Sequence, residues 1–181
     1  MSAGSVMGDE RLRLFCGLRI PPGVVDALSA WQRRELDGRI VPAENLHATL
    51  AFLGSRPAGE LAAIAGALRE SAAAVRPPRF ALRGYRETRS VGMLTFDDED
   101  GRGAELAVDL FGRLEALRVY RREARPWLPH VTVLRFRERP RLRPELPELE
   151  PFSPSDAAVY LSRLRPSGAQ YEVLESFALG G

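Results

Sequence analysis

The chain contains a single cysteine, Cys16, and no lysine among its 26 basic residues. One cysteine excludes an intramolecular disulfide and a zinc site built from thiolates. No apolar run approaches the roughly eighteen residues of a membrane-spanning helix, so we expect no membrane association. The first ten residues lack the charged start and apolar run of a secretory signal. We therefore expect a cytoplasmic protein. We also predict a monomer, and a flexible N-terminus at residues 1–10.

The composition is that of an ordinary globular protein. Hydrophobic residues make up 45% and charged residues 28% of the 181 positions, which excludes wholesale disorder. The length suits one domain, or two small lobes that share a core. We therefore predict that residues 1–181 form a single domain.

Arginine is concentrated in two parts of the chain, although the net charge is only +2. The segment from Arg113 to Arg143 contains ten Arg and three Glu. The segment from Arg76 to Arg89 contains five Arg and one acidic residue, Glu87. Codon bias in a GC-rich genome is sufficient to explain the absence of lysine. The planar guanidinium nevertheless fits phosphate oxygens and stacks on bases. This segregation is consistent with a basic face for a polyanion, although scattered Arg on solvated faces is commoner.

Strand-like and helix-like segments alternate along the chain. Alternating or β-rich runs predict strands at 11–20, 45–53, 80–85, 91–96, 128–136, 156–164 and 170–178. Apolar residues at helical spacing predict helices over about 24–38, 61–76 and 106–117. Five prolines predict a loop over 139–154. The pattern indicates a mixed α+β architecture, with sheets packed beneath outer helices.

The only two histidines open the same short pattern, His47-x-Thr49 and His130-x-Thr132. With four Thr in the chain, the chance that both histidines gain one at this offset is about one in two thousand. Each pattern lies in a predicted strand, where a period of two places the His and the Thr on one face. The intervening apolar residues then face the core. If the two strands are neighbours, four polar side chains line one groove.

Other interpretations of the histidines are open. A His beside a Thr is most often a hydrogen-bonded pair within the core, although the doubled pattern weakens that explanation. Zinc would need a third ligand, and the nearest carboxylates, Glu44 and Glu138, are not at a ligand-like spacing. A Ser–His–Asp triad is disfavoured because the chain has no Gly-x-Ser-x-Gly turn. We therefore assign no metal and no cofactor to this groove.

Two histidines and two hydroxyl groups suit the cleavage of a phosphodiester without a metal. One neutral imidazole accepts a proton from water, and one imidazolium donates a proton to the leaving oxygen. The two hydroxyl groups can donate hydrogen bonds to the nonbridging phosphate oxygens, where negative charge builds up. A cyclic phosphate suits such a site best, because its ring is strained and only one water must be activated.

Longer strings around these residues resemble the two-histidine (2H) phosphoesterase superfamily. They are most similar to its RNA 2′,3′-cyclic phosphodiesterases, the LigT-like 2′–5′ RNA ligases. The resemblance covers nearly the whole chain. It is carried by residues 13–18 (RLFCGL) before Pro21, 45–54 (NLHATLAFLG) and 129–135 (PHVTVLR), and by Tyr160, Ser162, Gly168 and Tyr171.

The resemblance implies a bilobal α+β fold with pseudo-twofold symmetry, in which two antiparallel sheets line a central cleft and helices lie outside. It implies hydrolysis of RNA 2′,3′-cyclic phosphate ends to 2′-phosphate ends, with reversible 2′–5′ ligation as a related reaction. His47 would be the general acid and His130 the general base, and the pseudo-symmetry leaves this assignment open to exchange. Thr49, Thr132 and Arg135 would bind the phosphate. In a regular strand the odd offset of Arg135 from His130 would point it off the groove, so a bulge or a strand end is needed.

The chain departs from the family pattern before the second motif, and two other functions remain open. Trp127 and Leu128 precede Pro129, where the family commonly has an Arg directly before the Pro; Arg125 is a candidate substitute. The substrate could instead be another cyclic or 2′–5′ linked nucleotide, including a small one, or the chain could be a non-catalytic RNA-binding module. Candidate base-stacking aromatics, for which core packing is the commoner role, are Phe15, Phe52, Tyr85, Trp127 and Phe136.

Overall fold

The computed structural model describes residues 10–180, which form two four-stranded antiparallel sheets and three α-helices. The predicted α+β class, with two antiparallel sheets, is confirmed. The flexible segment predicted for residues 1–10 lies outside the described residues, apart from Glu10. Within residues 10–180, no helix combines the length and the apolar character needed to cross a membrane.

The elements follow the predicted order closely. The strands are β1 (Arg11–Arg19), β2 (Arg39–Ile40), β3 (His47–Pro57), β4 (Phe80–Glu87), β5 (Val91–Asp98), β6 (His130–Arg135), β7 (Asp156–Arg165) and β8 (Gly168–Phe177). The helices are α1 (Pro22–Glu35), α2 (Leu61–Ala74) and α3 (Arg102–Ala116). The first sheet has the order β3-β1-β7-β8 and the second β2-β6-β5-β4. The sequence did not predict β2, because two residues are too few to show a period.

The two sheets share one large buried core. Leu14 of β1, Leu68 of α2, Leu110 of α3 and Val131 of β6 all belong to one contiguous cluster of buried side chains, and each is at most 1% exposed. Burying apolar side chains from both sheets in one cluster fixes the sheets relative to each other. The assignment of residues 1–181 to one domain of two pseudo-symmetric lobes stays a prediction.

Strand β6 contains a β-bulge at Val133. Neighbouring residues of β5 pair with Thr132 and Leu134, which leaves Val133 without a partner in β5. Val133 and Leu134 are consequently both buried, although they are adjacent. The extra residue shifts the alternation by one position, so Arg135 returns to the face that carries His130 and Thr132.

Strand β3 contains a matching bulge at Leu50. Neighbouring residues of β1 pair with Thr49 and Ala51, and Leu50 is left between them. Leu50 and Ala51 are both buried. Phe52 therefore lies on the same face of β3 as His47. In the same way, Arg135 lies on the same face of β6 as His130.

Helix α1 supports the bulge in β6 through Gln32. This side chain is only 1% exposed, and its Nε2 donates hydrogen bonds to the carbonyl oxygens of Val133 (2.9 Å) and Val41 (3.1 Å). The backbone N–H of Val41 also donates to the Val133 carbonyl, at 3.0 Å. The bulge carbonyl is thus satisfied by groups outside the β5–β6 ladder, which removes the cost of leaving it unpaired in the core.

Candidate active site

The faces of the two sheets that carry the histidines line one cleft of about 1170 Å³. Strands β3 and β6, one from each sheet, lie in contact. The cleft is lined by all five predicted site residues: His47, Thr49, His130, Thr132 and Arg135. The structure therefore brings together residues that are remote in the sequence.

The ring of His47 is held by two hydrogen bonds. Its Nδ1 lies 2.7 Å from the carbonyl oxygen of Asn45, and its Nε2 lies 2.8 Å from Oγ1 of Thr49. A carbonyl oxygen can only accept, so Nδ1 carries a proton and donates it to Asn45. In the neutral ring Nε2 is then the acceptor, and the Thr49 hydroxyl donates to it.

The ring of His130 is held in the same way. Its Nδ1 lies 2.9 Å from the carbonyl oxygen of Leu128 and donates to it. Within residues 10–180, Nε2 of His130 makes no hydrogen bond. Each imidazole therefore has its Nδ1 fixed by the backbone carbonyl two residues earlier, and in each ring Nε2 is the nitrogen that makes no bond to the backbone.

The surroundings of His47 disfavour its charged form. Burial is the main cause that lowers the pKa of His47 from 6.5 to about 4, and the positive charges of His130 and Arg135 lower it further against the opposing effect of the Asn45 carbonyl. The imidazole centroid lies 4.8 Å from the ring of Phe15 and 5.4 Å from that of Tyr171. His47 is therefore neutral at pH 7 in the free protein.

Gly17 of β1 gives the His47 imidazole its space. A Cβ at this position would lie 3.0 Å from the carbonyl oxygen of Ala48, 3.3 Å from Cδ2 of His47 and 3.3 Å from Cε2 of Tyr160. Such distances are shorter than ordinary van der Waals contact. Any side chain at position 17 would therefore have to displace the imidazole or its neighbours.

Arg135 stands at the end of β6, directly after the bulge, and its side chain enters the cleft. The residue is exposed, and its Nη2 lies 3.4 Å from Oη of Tyr171, the group to which it donates. The sequence required either a bulge or a strand end for this residue to face the groove, and the structure has both. A guanidinium fork in this position can meet a phosphate.

Six Arg and a single carboxylate, Glu123, line the cleft. Arg125 pairs with Glu123 at 2.7 Å. In the part of the chain that the structure describes, the other five make no ion pair: Arg13, Arg39, Arg86, Arg135 and Arg165. The cleft is therefore strongly positive, and its positive charge extends well beyond the two histidines.

Trp127 lies two residues before Pro129, in the segment where the sequence departs from the family pattern. It belongs to the loop that precedes β6, and its Nε1 donates a hydrogen bond to the carbonyl oxygen of Thr49 at 2.9 Å. The loop of the second sheet is thereby tied to β3 of the first. Arg125, the candidate substitute, lines the cleft but is engaged by Glu123.

The candidate stacking aromatics divide into two groups. Phe15, Phe52 and Trp127 line the cleft, whereas Tyr85 and Phe136 do not. Phe52 is 49% exposed, and the guanidinium carbon of Arg13 lies 4.7 Å from its ring centroid. This pair presents both a flat apolar surface and a positive charge to the cleft.

The structure also bears on the other interpretations of the histidines. His47 and Thr49 do form a hydrogen-bonded pair, but both line an open cleft rather than a sealed core. Among residues 10–180, no group of three or more His, Cys, Asp and Glu side chains is arranged to hold a metal ion.

Several contributors to the site were not identified as such from the sequence. The carbonyls of Asn45 and Leu128 orient the two imidazoles, and backbone groups leave no signal in a sequence. Gly17 did leave a signal in the sequence, because a glycine inside a strand often marks a place where another group packs closely against the backbone. Arg13 and Phe15 are two residues apart in a strand, so they lie on one face. Since Phe15 was a candidate for the groove, this spacing would have predicted that Arg13 also lies beside the groove.

Comparison with known proteins gives consistent results. A family model described as LigT-like phosphoesterase matches residues 18–90. A Thermus thermophilus protein named RNA 2′,3′-cyclic phosphodiesterase is 32% identical, over 94% of this chain and 91% of that protein. A protein of the same name from Methanothermobacter thermautotrophicus is 27% identical, over 93% of this chain and 100% of its own length.

Solved structures share the fold. The crystal structure of the Thermus thermophilus protein TT0787 superposes with a TM-score of 0.79 at 31% identity, covering 94% of this chain and 99% of that one. The crystal structure of Escherichia coli LigT in its apo form gives a TM-score of 0.77 at 26% identity, covering 96% and 100%. The similarity therefore extends over both sheets.

Proposed function

The chain belongs to the LigT-like phosphoesterase family, and on this basis we propose that it hydrolyses RNA 2′,3′-cyclic phosphate ends to 2′-phosphate ends. Two relatives that align over nearly the whole chain are named RNA 2′,3′-cyclic phosphodiesterase. The observation that carries the proposal is the matched pair of imidazoles in one cleft, each with Nδ1 bound to a backbone carbonyl. This arrangement leaves two Nε2 atoms for two proton transfers.

The proposed reaction needs one base and one acid. Nε2 of His130 takes a proton from water as the water oxygen attacks phosphorus. The bond from phosphorus to the ribose 3′-oxygen breaks, and Nε2–H of His47 protonates that oxygen. The products are a 2′-phosphate and a 3′-hydroxyl. Both protons move through histidine nitrogens, so no metal is needed for either transfer.

The other three residues would stabilise the transition state. The hydroxyls of Thr49 and Thr132 donate hydrogen bonds to the nonbridging phosphate oxygens, and Arg135 supplies charge. In the free protein the Thr49 hydroxyl is bound to Nε2 of His47 at 2.8 Å. When His47 becomes protonated beside the anionic substrate, Nε2 no longer accepts, and the hydroxyl is released to bind the phosphate.

The charge of the cleft favours an RNA end over a small cyclic nucleotide. One cyclic phosphate needs one or two cationic partners, whereas five Arg of the cleft make no ion pair within residues 10–180. The surplus guanidinium groups can bind further phosphates of a chain. We therefore expect a cyclic-phosphate oligonucleotide to have a lower KM than the corresponding cyclic mononucleotide, with a difference that shrinks as salt is added.

The same site would support 2′–5′ ligation. A 5′-hydroxyl takes the place of water, loses its proton to His130 and attacks phosphorus, while the 3′-oxygen leaves with the proton of His47. The product is a 2′–5′ phosphodiester. This reaction requires two RNA ends held together, so we expect it with annealed or pre-cleaved stem substrates and not with single strands.

The test uses a short RNA with a 2′,3′-cyclic phosphate end, in the presence of EDTA. We expect conversion to the 2′-phosphate, and release of the 3′-phosphate isomer or no product would contradict the proposal. His47→Ala and His130→Ala should each lower the rate by roughly 10²–10⁴. Arg76→Ala is the matched surface control, because Arg76 is exposed and lies outside the cleft. RNA binding without turnover would instead indicate a non-catalytic module.

A further inference from the structure

Tyr171 of β8 contacts functional groups of both sheets. Its ring lies 5.4 Å from the His47 imidazole, centroid to centroid, at an interplanar angle of 83°. Its Oη accepts a hydrogen bond from Nη2 of Arg135 at 3.4 Å. His47 belongs to the first sheet and Arg135 to the second. One side chain therefore contacts both the proposed acid and the proposed phosphate-binding cation.

The position of Tyr171 is itself fixed. Its ring packs edge-on against Phe15, with the centroids 4.9 Å apart. Two residues earlier, the Ala169 carbonyl accepts a hydrogen bond of 2.8 Å from Nδ2 of Asn45. Asn45 is 8% exposed, and its own carbonyl accepts the Nδ1 proton of His47. The start of β8 and the imidazole are thus attached to the same residue.

We propose that Tyr171 is a positioning residue, whose ring confines the His47 imidazole and whose hydroxyl directs Arg135 toward the phosphate. This role rests on the proposed phosphodiester hydrolysis. Arg135 is exposed and has a long side chain, so without a partner it would sample many rotamers and lose more entropy on binding phosphate. The phenol oxygen limits that sampling at the end nearest the reaction. The ring meanwhile excludes water from one side of the imidazole.

The two parts of Tyr171 can be separated by substitution. Tyr171→Phe keeps the ring and removes the hydroxyl, so we expect kcat/KM to fall by about threefold to tenfold. The His47 pKa, followed by NMR of the imidazole, should stay near its wild-type value. Tyr171→Leu removes the ring, and increased hydration of the imidazole should raise the pKa of His47 from about 4 toward 6.5.

A double-mutant cycle tests whether the hydroxyl acts through Arg135. In the Arg135→Ala background, Tyr171→Phe should have no further effect on kcat/KM. Tyr85→Phe is the matched control, because it also removes a phenol hydrogen bond, to Glu87 at 3.0 Å, outside the cleft. It should retain wild-type activity. Wild-type activity of Tyr171→Phe, or a loss that adds fully to that of Arg135→Ala, would overturn the proposal.

Failure of this inference can be distinguished from failure of the proposed function. If the wild type does not hydrolyse the RNA, the proposed function is wrong, and binding of inorganic phosphate then replaces kcat/KM as the readout of the cycle. We expect Tyr171→Phe to bind phosphate more weakly than the wild type. In the Arg135→Ala background, the same substitution should cause no further weakening of phosphate binding. The NMR pKa of His47 in Tyr171→Leu needs no substrate. An unchanged pKa in that variant would overturn the role of the ring.

Discussion

The low pKa of His47 makes folding stability depend on pH in a defined window. The imidazole has a pKa of 6.5 when unfolded and about 4 in the folded protein, mainly because of burial. Between these values the unfolded chain binds a proton that the folded chain does not. The contribution of neutral His47 to stability is therefore complete above pH 6.5 and is lost as the pH falls from 6.5 toward 4.

The size of this loss follows from the same two values. At pH 5.0 the unfolded imidazole is almost fully protonated, about 1.5 pH units below its pKa, while the folded one is still mostly neutral. Each pH unit below the pKa of the unfolded imidazole corresponds to about 1.36 kcal/mol. Lowering the pH from 7.5 to 5.0 should therefore reduce the free energy of unfolding by about 2 kcal/mol through His47 alone. The free energy of unfolding of a typical domain is roughly 5–15 kcal/mol, so a loss of this size would be easy to measure.

Urea unfolding at pH 7.5 and pH 5.0 measures this loss. His47→Gln cannot titrate, and its amide can still donate to the Asn45 carbonyl. The loss of unfolding free energy between the two pH values should be about 2 kcal/mol smaller in this variant than in the wild type. Arg76→Ala should show the wild-type loss. Equal losses in the wild type and His47→Gln would refute the conclusion that burial holds the imidazole neutral.

Three further substitutions test the supports of the site. Gly17→Ala should lower kcat by about tenfold or more in a folded protein, because the new Cβ would lie 3.3 Å from His47; activity assays and circular dichroism check this. Gln32→Leu should reduce the unfolding free energy by about 1–3 kcal/mol, since the Val133 carbonyl loses a buried donor; urea titration measures this, and an unchanged midpoint would contradict it. Trp127→Phe should lower the free energy of unfolding by about 1 kcal/mol and should also lower kcat, because the Thr49 carbonyl of β3 loses its indole donor. A loss of stability with an unchanged kcat would exclude a role of Trp127 in the site.

The sequence predicted the faces of the two motif strands but not what happens after the threonines. A period of two is enough to put each His and Thr on one face, and the structure has them there. The carbonyl of Val133 in the bulge accepts a hydrogen bond from the amide of Gln32, a residue 101 positions away in the sequence. No local pattern contains that information. The resemblance predicted that Arg135 meets the phosphate, but only the tertiary structure shows which residue forms the bulge that turns Arg135 into the cleft.

The proposed acid role of His47 places a condition on the order of events. An acid must carry its proton when the leaving oxygen departs, yet burial keeps the pKa of His47 at about 4 in the free protein. The charges of His130 and Arg135 contribute to that low value. The negative charge of a phosphodiester bound beside the imidazole favours the protonated form, so it raises the pKa of His47 above its value in the free protein. The proposed acid role therefore requires that His47 gain its proton after the substrate has bound. The same event frees the Thr49 hydroxyl from Nε2, so the acid and its neighbouring phosphate donor become competent together.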